Sequence, residues 1–144
     1  METEATLARL EADRESHVLA GRSTEAELAD LETELGRSLP ALYREFLLRI
    51  GGGLFYQRHE LFGTRRTMIH DIELVPALLS FSHLHGTGPE LDELLPFHQE
   101  AGVVHAFRQR DHHGEPISVV RVGTDTTFAD FHAFLAAVVL PAPD

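Results

Sequence analysis

Between Thr24 and Gly53 the chain reads TEAELADLETELGRSLPALYREFLLRIGGG, and apolar residues recur there at helical spacing with start and stop signals in place. Thr24 and Glu27, three residues apart, form a capping box ahead of Leu28, Leu31 and Leu35. That spacing predicts a helix over 24–36 with its leucines on one face and an acidic remainder, ended by Gly36. Leu39-Pro40 starts a second helix over 39–50, because proline in a first turn loses no hydrogen bond. Leu42, Tyr43, Phe46, Leu47 and Ile50 give it a wide apolar face, so it is expected to be mostly buried. Gly51-Gly52-Gly53 stops it and turns the chain.

Outside this stretch the pattern is weaker at the front and extended in the middle. Residues 2–20 read as a helix on Leu7, Leu10, Val18 and Leu19, with a lapse of the stripe around 11–17, and Gly21-Arg22-Ser23 links it onward. Strands are predicted over 54–61 and 67–70, separated by Phe62-Gly63-Thr64-Arg65-Arg66, and a short helix over 72–79 with Pro76 in its first turn. A loop rich in histidine and glycine follows over 81–91. Three further strands fall at 94–98, 103–108 and 117–122, the last two joined by a long connection over 109–116. In the second, Val103, His105 and Phe107 share one face and Val104, Ala106 and Arg108 the other. Pro96 denies its strand a ladder amide, which places that strand at an edge or starts its pairing later. Thr126 or Thr127 caps a final helix on Phe128, Phe131, Phe134, Leu135 and Val138, ended by Pro141 and Pro143. The expected fold is α+β, an antiparallel or mixed sheet packed against N-terminal helices and a C-terminal helix. With no internal repeat and no linker, residues 1–144 are read as one domain, long enough to bury about 68% of the unfolded surface.

Charge adds a direction to this picture. The formal net charge is −11, and residues 1–35 hold ten acidic residues against three arginines. Such a field repels nucleic acid and speeds the encounter with basic proteins, although a solvated helix face accounts for the same residues. With 43% hydrophobic and 24% charged residues the composition is that of a globular protein. No apolar run approaches the ~20 residues of a membrane span, and the acidic start lacks a signal peptide's pattern, so a cytoplasmic location is expected. The absence of cysteine removes disulfides, thiol nucleophiles and thiolate metal sites.

Candidate chemistry is sparse. Ten histidines include the pairs His83 with His85, His112 with His113 and His59 with His70, but none has zincin spacing and no segment supplies three ligands. They are read as exposed loop residues, with no metal and no cofactor. Ser80 and Ser82 lie near His83 without a nucleophile elbow, and Gly51–Gly53 lack the lysine and hydroxyl of a phosphate loop. Asp92-Glu93 before an apolar strand read as solvated charge, and Arg58, Arg65 and Arg66 are too few to reverse the acidic balance toward nucleic acid. What remains is a binding module and not an enzyme.

The order of these elements resembles the SUKH superfamily. The resemblance is carried by Leu31-Glu32, Leu35-Gly36, Leu39-Pro40, Tyr43-Arg44 and Phe46-Leu47 before the glycines. It continues in Leu61-Phe62-Gly63, Leu95-Pro96-Phe97 and the closing Phe128, Asp130, Phe131, Phe134 and Leu135. Ala101-Gly102-Val103-Val104 and Phe107-Arg108 depart from the family's usual Gly-Asp pair and strand-terminal aspartate, so the polar detail of that strand is not carried over. The superfamily takes in a fungal cell-wall-synthesis regulator and many bacterial immunity proteins. The resemblance therefore implies an immunity protein that neutralises a toxin domain, often a nuclease, with a regulatory adaptor as the alternative. The expected partner is a basic toxin domain, with no nucleic acid and no membrane, and the chain itself a monomer or weak dimer. Loops around a sheet are where a rigid scaffold presents binding groups, which makes Glu60, Asp71, Glu73, Glu90, Asp92 and Glu93 the candidate contacts.

Overall fold

The capping box forms as expected: the Glu27 amide donates to Thr24 Oγ1 at 3.1 Å and the Thr24 amide donates to Glu27 Oε1 at 3.0 Å. It opens the second helix of a computed structural model that describes residues 2–35, 38–78, 94–108 and 118–140. The predicted loop over 81–91, the connection over 109–116, the Gly36 cap and the closing prolines lie outside the described residues.

The described helices are α1 (Glu2–Ala12), α2 (Glu25–Leu35), α3 (Ala41–Arg49) and α4 (Phe131–Phe134), which widens into a π-helical stretch over Leu135–Val139. The strands are β1 (Val18–Leu19), β2 (Gly53–Phe55), β3 (His59–Leu61), β4 (Thr67–Ile69) and β5 (Ile72–Val75). They continue as β6 (Leu94–Glu100), β7 (Val103–Arg108), β8 (Val119–Arg121) and β9 (Thr127–Phe128). Seven of them form one antiparallel sheet in the order β1-β2-β3-β6-β7-β8-β9, and β4 with β5 forms a separate hairpin. The architecture is the expected α+β arrangement, with the sheet wholly antiparallel.

Four local expectations are corrected. The helix predicted over 2–20 stops at Ala12, where the apolar stripe lapses, and Val18 and Leu19 instead pair with Leu54 and Gly53 as an edge strand. The strand predicted over 54–61 is a hairpin, because Tyr56 and Gln57 adopt φ values of 52° and 61° and the Arg58 amide donates back to the Phe55 carbonyl. The helix predicted over 72–79 begins as strand β5, turned back from β4 by His70 and Asp71 at φ 49° and 66°. The last helix is capped by Asp130, whose Oδ1 accepts from the Ala133 amide at 2.8 Å, because Thr127 and Phe128 are drawn into the sheet.

Pro96 shows how a central strand tolerates proline. β6 lies between β3 and β7 rather than at an edge. Its register on β7 shifts between Pro96 and His98, a bulge that absorbs the missing amide, and pairing with β3 begins only at His98 and Gln99.

One core holds the helices to the sheet. Tyr43 and Phe46 from α3 and Phe131 and Phe134 from α4 interlock with Phe55, Phe97 and Phe107, the last two stacked at 4.0 Å. Leu7 and Leu10 of α1 and Leu28 and Leu31 of α2 complete it. The three glycines do more than stop a helix. A methyl at Gly52 would meet the Gly63 nitrogen at 2.6 Å, so the end of α3 and the loop after β3 touch backbone to backbone.

Replacing Phe46 with alanine should lower stability by about 3–5 kcal/mol, read as a shift in the denaturant midpoint. Gly52→Ala, whose φ is unexceptional, should cost about 1–3 kcal/mol through steric overlap alone. Melting within about 0.5 kcal/mol of the natural chain in either case would mean that this packing is misassigned.

Candidate functional site

The acidic helices are not a uniform field of free carboxylates. Arg44 bridges Glu25 at 2.7 Å and Glu32 at 3.3 Å, Arg49 holds Glu11 at 2.6 Å, and Arg9 holds Asp13 at 3.0 Å. Arg65, in the loop after β3, forks onto both oxygens of Glu27 at 2.7 and 2.8 Å, and its hydrogen bonds hold that carboxyl below its usual range. Glu32 also accepts the Leu39 amide at 2.7 Å, so it joins the two organising helices. Among the described side chains, Glu11, Asp13, Glu25, Glu27 and Glu32 therefore work inside the fold.

Of the six candidate carboxylates, Asp71 and Glu73 share the β4–β5 hairpin, Asp71 in its turn and Glu73 on β5 with a long 3.7 Å pairing to Arg66. Glu60 stands apart on β3 of the main sheet, half-buried beside Gln99, and burial raises its pKa. Glu90, Asp92 and Glu93 lie outside the described residues. The hairpin also carries what sequence reasoning missed, an exposed apolar surface. Met68, Ile69 and Ile72 are 40%, 38% and 64% exposed, and Ile69 and Ile72 face each other across the strands. The adjacent apolar pairs Met68-Ile69 and Leu74-Val75 on either side of His70-Asp71 were the available signal, since a half-buried strand would alternate.

The histidines depart most from expectation. His17, His59, His98, His105 and His132 are buried and not exposed, and the anticipated partner of His59, His70, stands exposed in the hairpin turn instead. His83, His85, His112 and His113 lie outside the described residues. Three of the buried rings form a relay beneath α4. Arg121 Nε, always a donor, gives its hydrogen to His105 Nε2 at 3.3 Å, which leaves the His105 proton on Nδ1. His105 Nδ1 then donates to His98 Nδ1 at 3.1 Å, and His98 Nε2 donates to His59 Nδ1 at 3.0 Å. Phe134 covers both His98 and His105, with ring centroids at 4.9 and 4.8 Å.

This arrangement requires neutral imidazoles. Burial, aided by the neighbouring histidines and Arg121, pushes His98 down to about 2, and burial with Arg121 pushes His105 down to about 4. Burial also lowers His59, opposed by Glu100 and reinforced by Arg58. Because His98 uses its two nitrogens in opposite directions, the rings do not converge on a common point. Among the described residues no group of three or more histidine or acidic side chains is placed to hold a metal ion. His132 is also buried, and neither of its ring nitrogens has a hydrogen-bond partner among the described residues.

Residues 22–137 match the SMI1 / KNR4 family (SUKH-1). The fold is similar to that in a crystal structure of a protein from Pseudomonas syringae pv. tomato, with a TM-score of 0.69 and 18% identity. That similarity covers 94% of this chain and 97% of the other. A search of curated proteins finds no match. No helix among the described residues is long and apolar enough to cross a membrane.

The relay makes stability depend on pH in a defined direction. The unfolded chain protonates its histidines near 6.5 while the folded chain resists, so stability is full above 6.5 and falls as pH drops from 6.5 toward 4. Each histidine adds up to about 1.4 kcal/mol per pH unit in that window. Denaturant titrations at pH 7 and pH 5 should show the loss, and His98→Gln should reduce it. An undiminished pH dependence in that variant would remove His98 from the account.

Proposed function

Because this chain belongs to the SMI1 / KNR4 family (SUKH-1), we propose that it is an immunity protein, one that binds and neutralises a basic toxin domain, a nuclease in the simplest case. The family match over residues 22–137 carries the reading, since the family includes immunity proteins and its members are in general binding proteins rather than enzymes. The charge of −11 supports it physically: carboxylates can occupy a basic cleft in place of phosphates.

The contact surface in this proposal is the β4–β5 hairpin. Asp71 and Glu73 supply the charge, and Met68, Ile69 and Ile72 supply apolar area that the fold leaves uncovered. The His70-Asp71 turn holds two residues other than glycine in the left-handed region, a local strain of the kind found where a scaffold presents a binding group. Glu60 is a secondary contact, because it is half-buried on the main sheet beside Gln99.

Cells making the toxin domain encoded beside this gene should survive when this protein is co-expressed. Equal killing with and without it would refute the immunity reading. With the purified pair, Asp71→Arg combined with Glu73→Arg should weaken binding at least tenfold while leaving the melting temperature in place. Raising salt from about 50 to 500 mM should slow association far more than it speeds dissociation, since screening acts on the long-range field.

A further inference from the structure

A half-open pocket of about 250 Å³ lies beside the segment between β1 and α2, at the ends of α1 and α3. Arg14, Arg22 and Arg49 line it, with Glu11 beside them and Leu19 and Ile50 as an apolar floor. In a chain with 23 acidic and 12 cationic residues, three arginines lining one small pocket stand out against the overall charge. Glu11 is the one acidic residue among these lining groups, and it pairs with Arg49 at 2.6 Å.

The pairing of the other arginines sharpens the point. Arg9, Arg44, Arg58, Arg65 and Arg66 are held by carboxylates, and Arg121 is bound to His105. Arg14 and Arg22 make no ion pair among the described residues, although acidic side chains are abundant on the neighbouring helices. Like charges gathered in one place repel, and an anion between them removes that cost.

The backbone that carries these arginines is anchored. The Ala20 amide donates to the Gly52 carbonyl at 3.0 Å and the Ser23 amide to the Leu47 carbonyl at 2.9 Å, which fixes the segment bearing Arg22 on both sides. Gly21, at φ 103°, also lines the pocket, and a methyl at Gly51 would lie 2.1 Å from its carbonyl oxygen, so Gly51 admits no side chain beside this wall. Arg14 sits in a short 3-10 turn, Arg14–Ser16, closed by the Ser16 amide to Asp13 and the His17 amide to Arg14. The buried His17 ring locks that turn: its Nε2 donates to the Leu10 carbonyl at 3.2 Å and its Nδ1 accepts from the Tyr56 amide at 3.0 Å. The backbone that carries Arg14 and Arg22 is thus fixed before any ligand arrives.

We propose that this cavity is a binding site for a small phosphate-class oxyanion, either free inorganic phosphate or the phosphoryl group of a small phosphomonoester. Guanidinium forks match the geometry of phosphate oxygens, and the volume holds one such group with room for a small organic substituent beside it. The site is separate from the β4–β5 hairpin, and its test does not depend on any toxin.

Calorimetry and Arg Nε–Hε resonances of the full chain, titrated with inorganic phosphate at constant ionic strength, should show saturable one-to-one binding. Arg14→Gln and Arg22→Gln change exposed side chains, should leave melting unaltered, and should each weaken binding at least tenfold. Arg108→Gln, an exposed arginine of β7 with no ion pair among the described residues, should leave it unchanged. Phosphoserine binding more tightly than inorganic phosphate would identify the monoester as the preferred source, and the reverse order the free ion. Non-saturable shifts, equal shifts with chloride, or equal loss in Arg108→Gln would overturn the proposal.

Discussion

The fold depends on burying the Tyr43 ring with its hydroxyl satisfied. The ring lies fully inside the core, where its centroid stands 4.9–5.6 Å from those of Phe46, Phe97, Phe107 and Phe131. A hydroxyl in such a place without a partner would cost about 1–3 kcal/mol. It donates instead to the Phe62 carbonyl, in the loop that leaves β3. One side chain of α3 therefore fixes the height of a loop, the position of α4 and the stacking of β6 on β7. The backbone contact of Gly52 with Gly63 is the second consequence, because the same loop must come close enough for the hydroxyl to reach it.

How much of this was legible follows from which signals are local. The capping box, the leucine stripe of α2 and the apolar face of α3 each specify themselves within about four residues, and all three stand as read. The hairpins were not legible, because their tight turns are made by Tyr56-Gln57 and His70-Asp71 rather than by Asn-Gly or Gly-Gly. Those residues pay a steric penalty of roughly 1–2 kcal/mol each in the left-handed region, and tertiary packing overrides local preference. Val18 and Leu19 were misread for a related reason: a two-residue edge strand exists only because β2 offers it a partner.

The histidines show the same division. Period-two alternation correctly placed His105 on the face of Phe107. Nothing in the sequence spacing brings His98 opposite it, because that contact requires the bulge after Pro96, which places Phe97 and His98 both inside. Once the bulge is made, Leu61 pairs with His98 and brings β3, with His59 on it, alongside. The relay is thus a product of sheet register, and its polarity is set by Arg121 at one end. A carboxylate there would reverse the direction of every hydrogen bond in the chain.

Net charge alone describes this surface poorly. Acids on α1 and α2 are drawn into ion pairs that tie the helices together, so their contribution to contact with another molecule is smaller than their number implies. At physiological salt the Debye length is about 8 Å, so the −11 field guides an approaching partner while the groups at the point of contact decide affinity. Those groups differ sharply between two places. The β4–β5 hairpin combines apolar side chains with Asp71 and Glu73, whereas the cavity between α1 and α3 gathers arginines. A partner complementary to the first is repelled electrostatically at the second. The two chemistries can therefore serve different ligands on one small scaffold without competing for the same one.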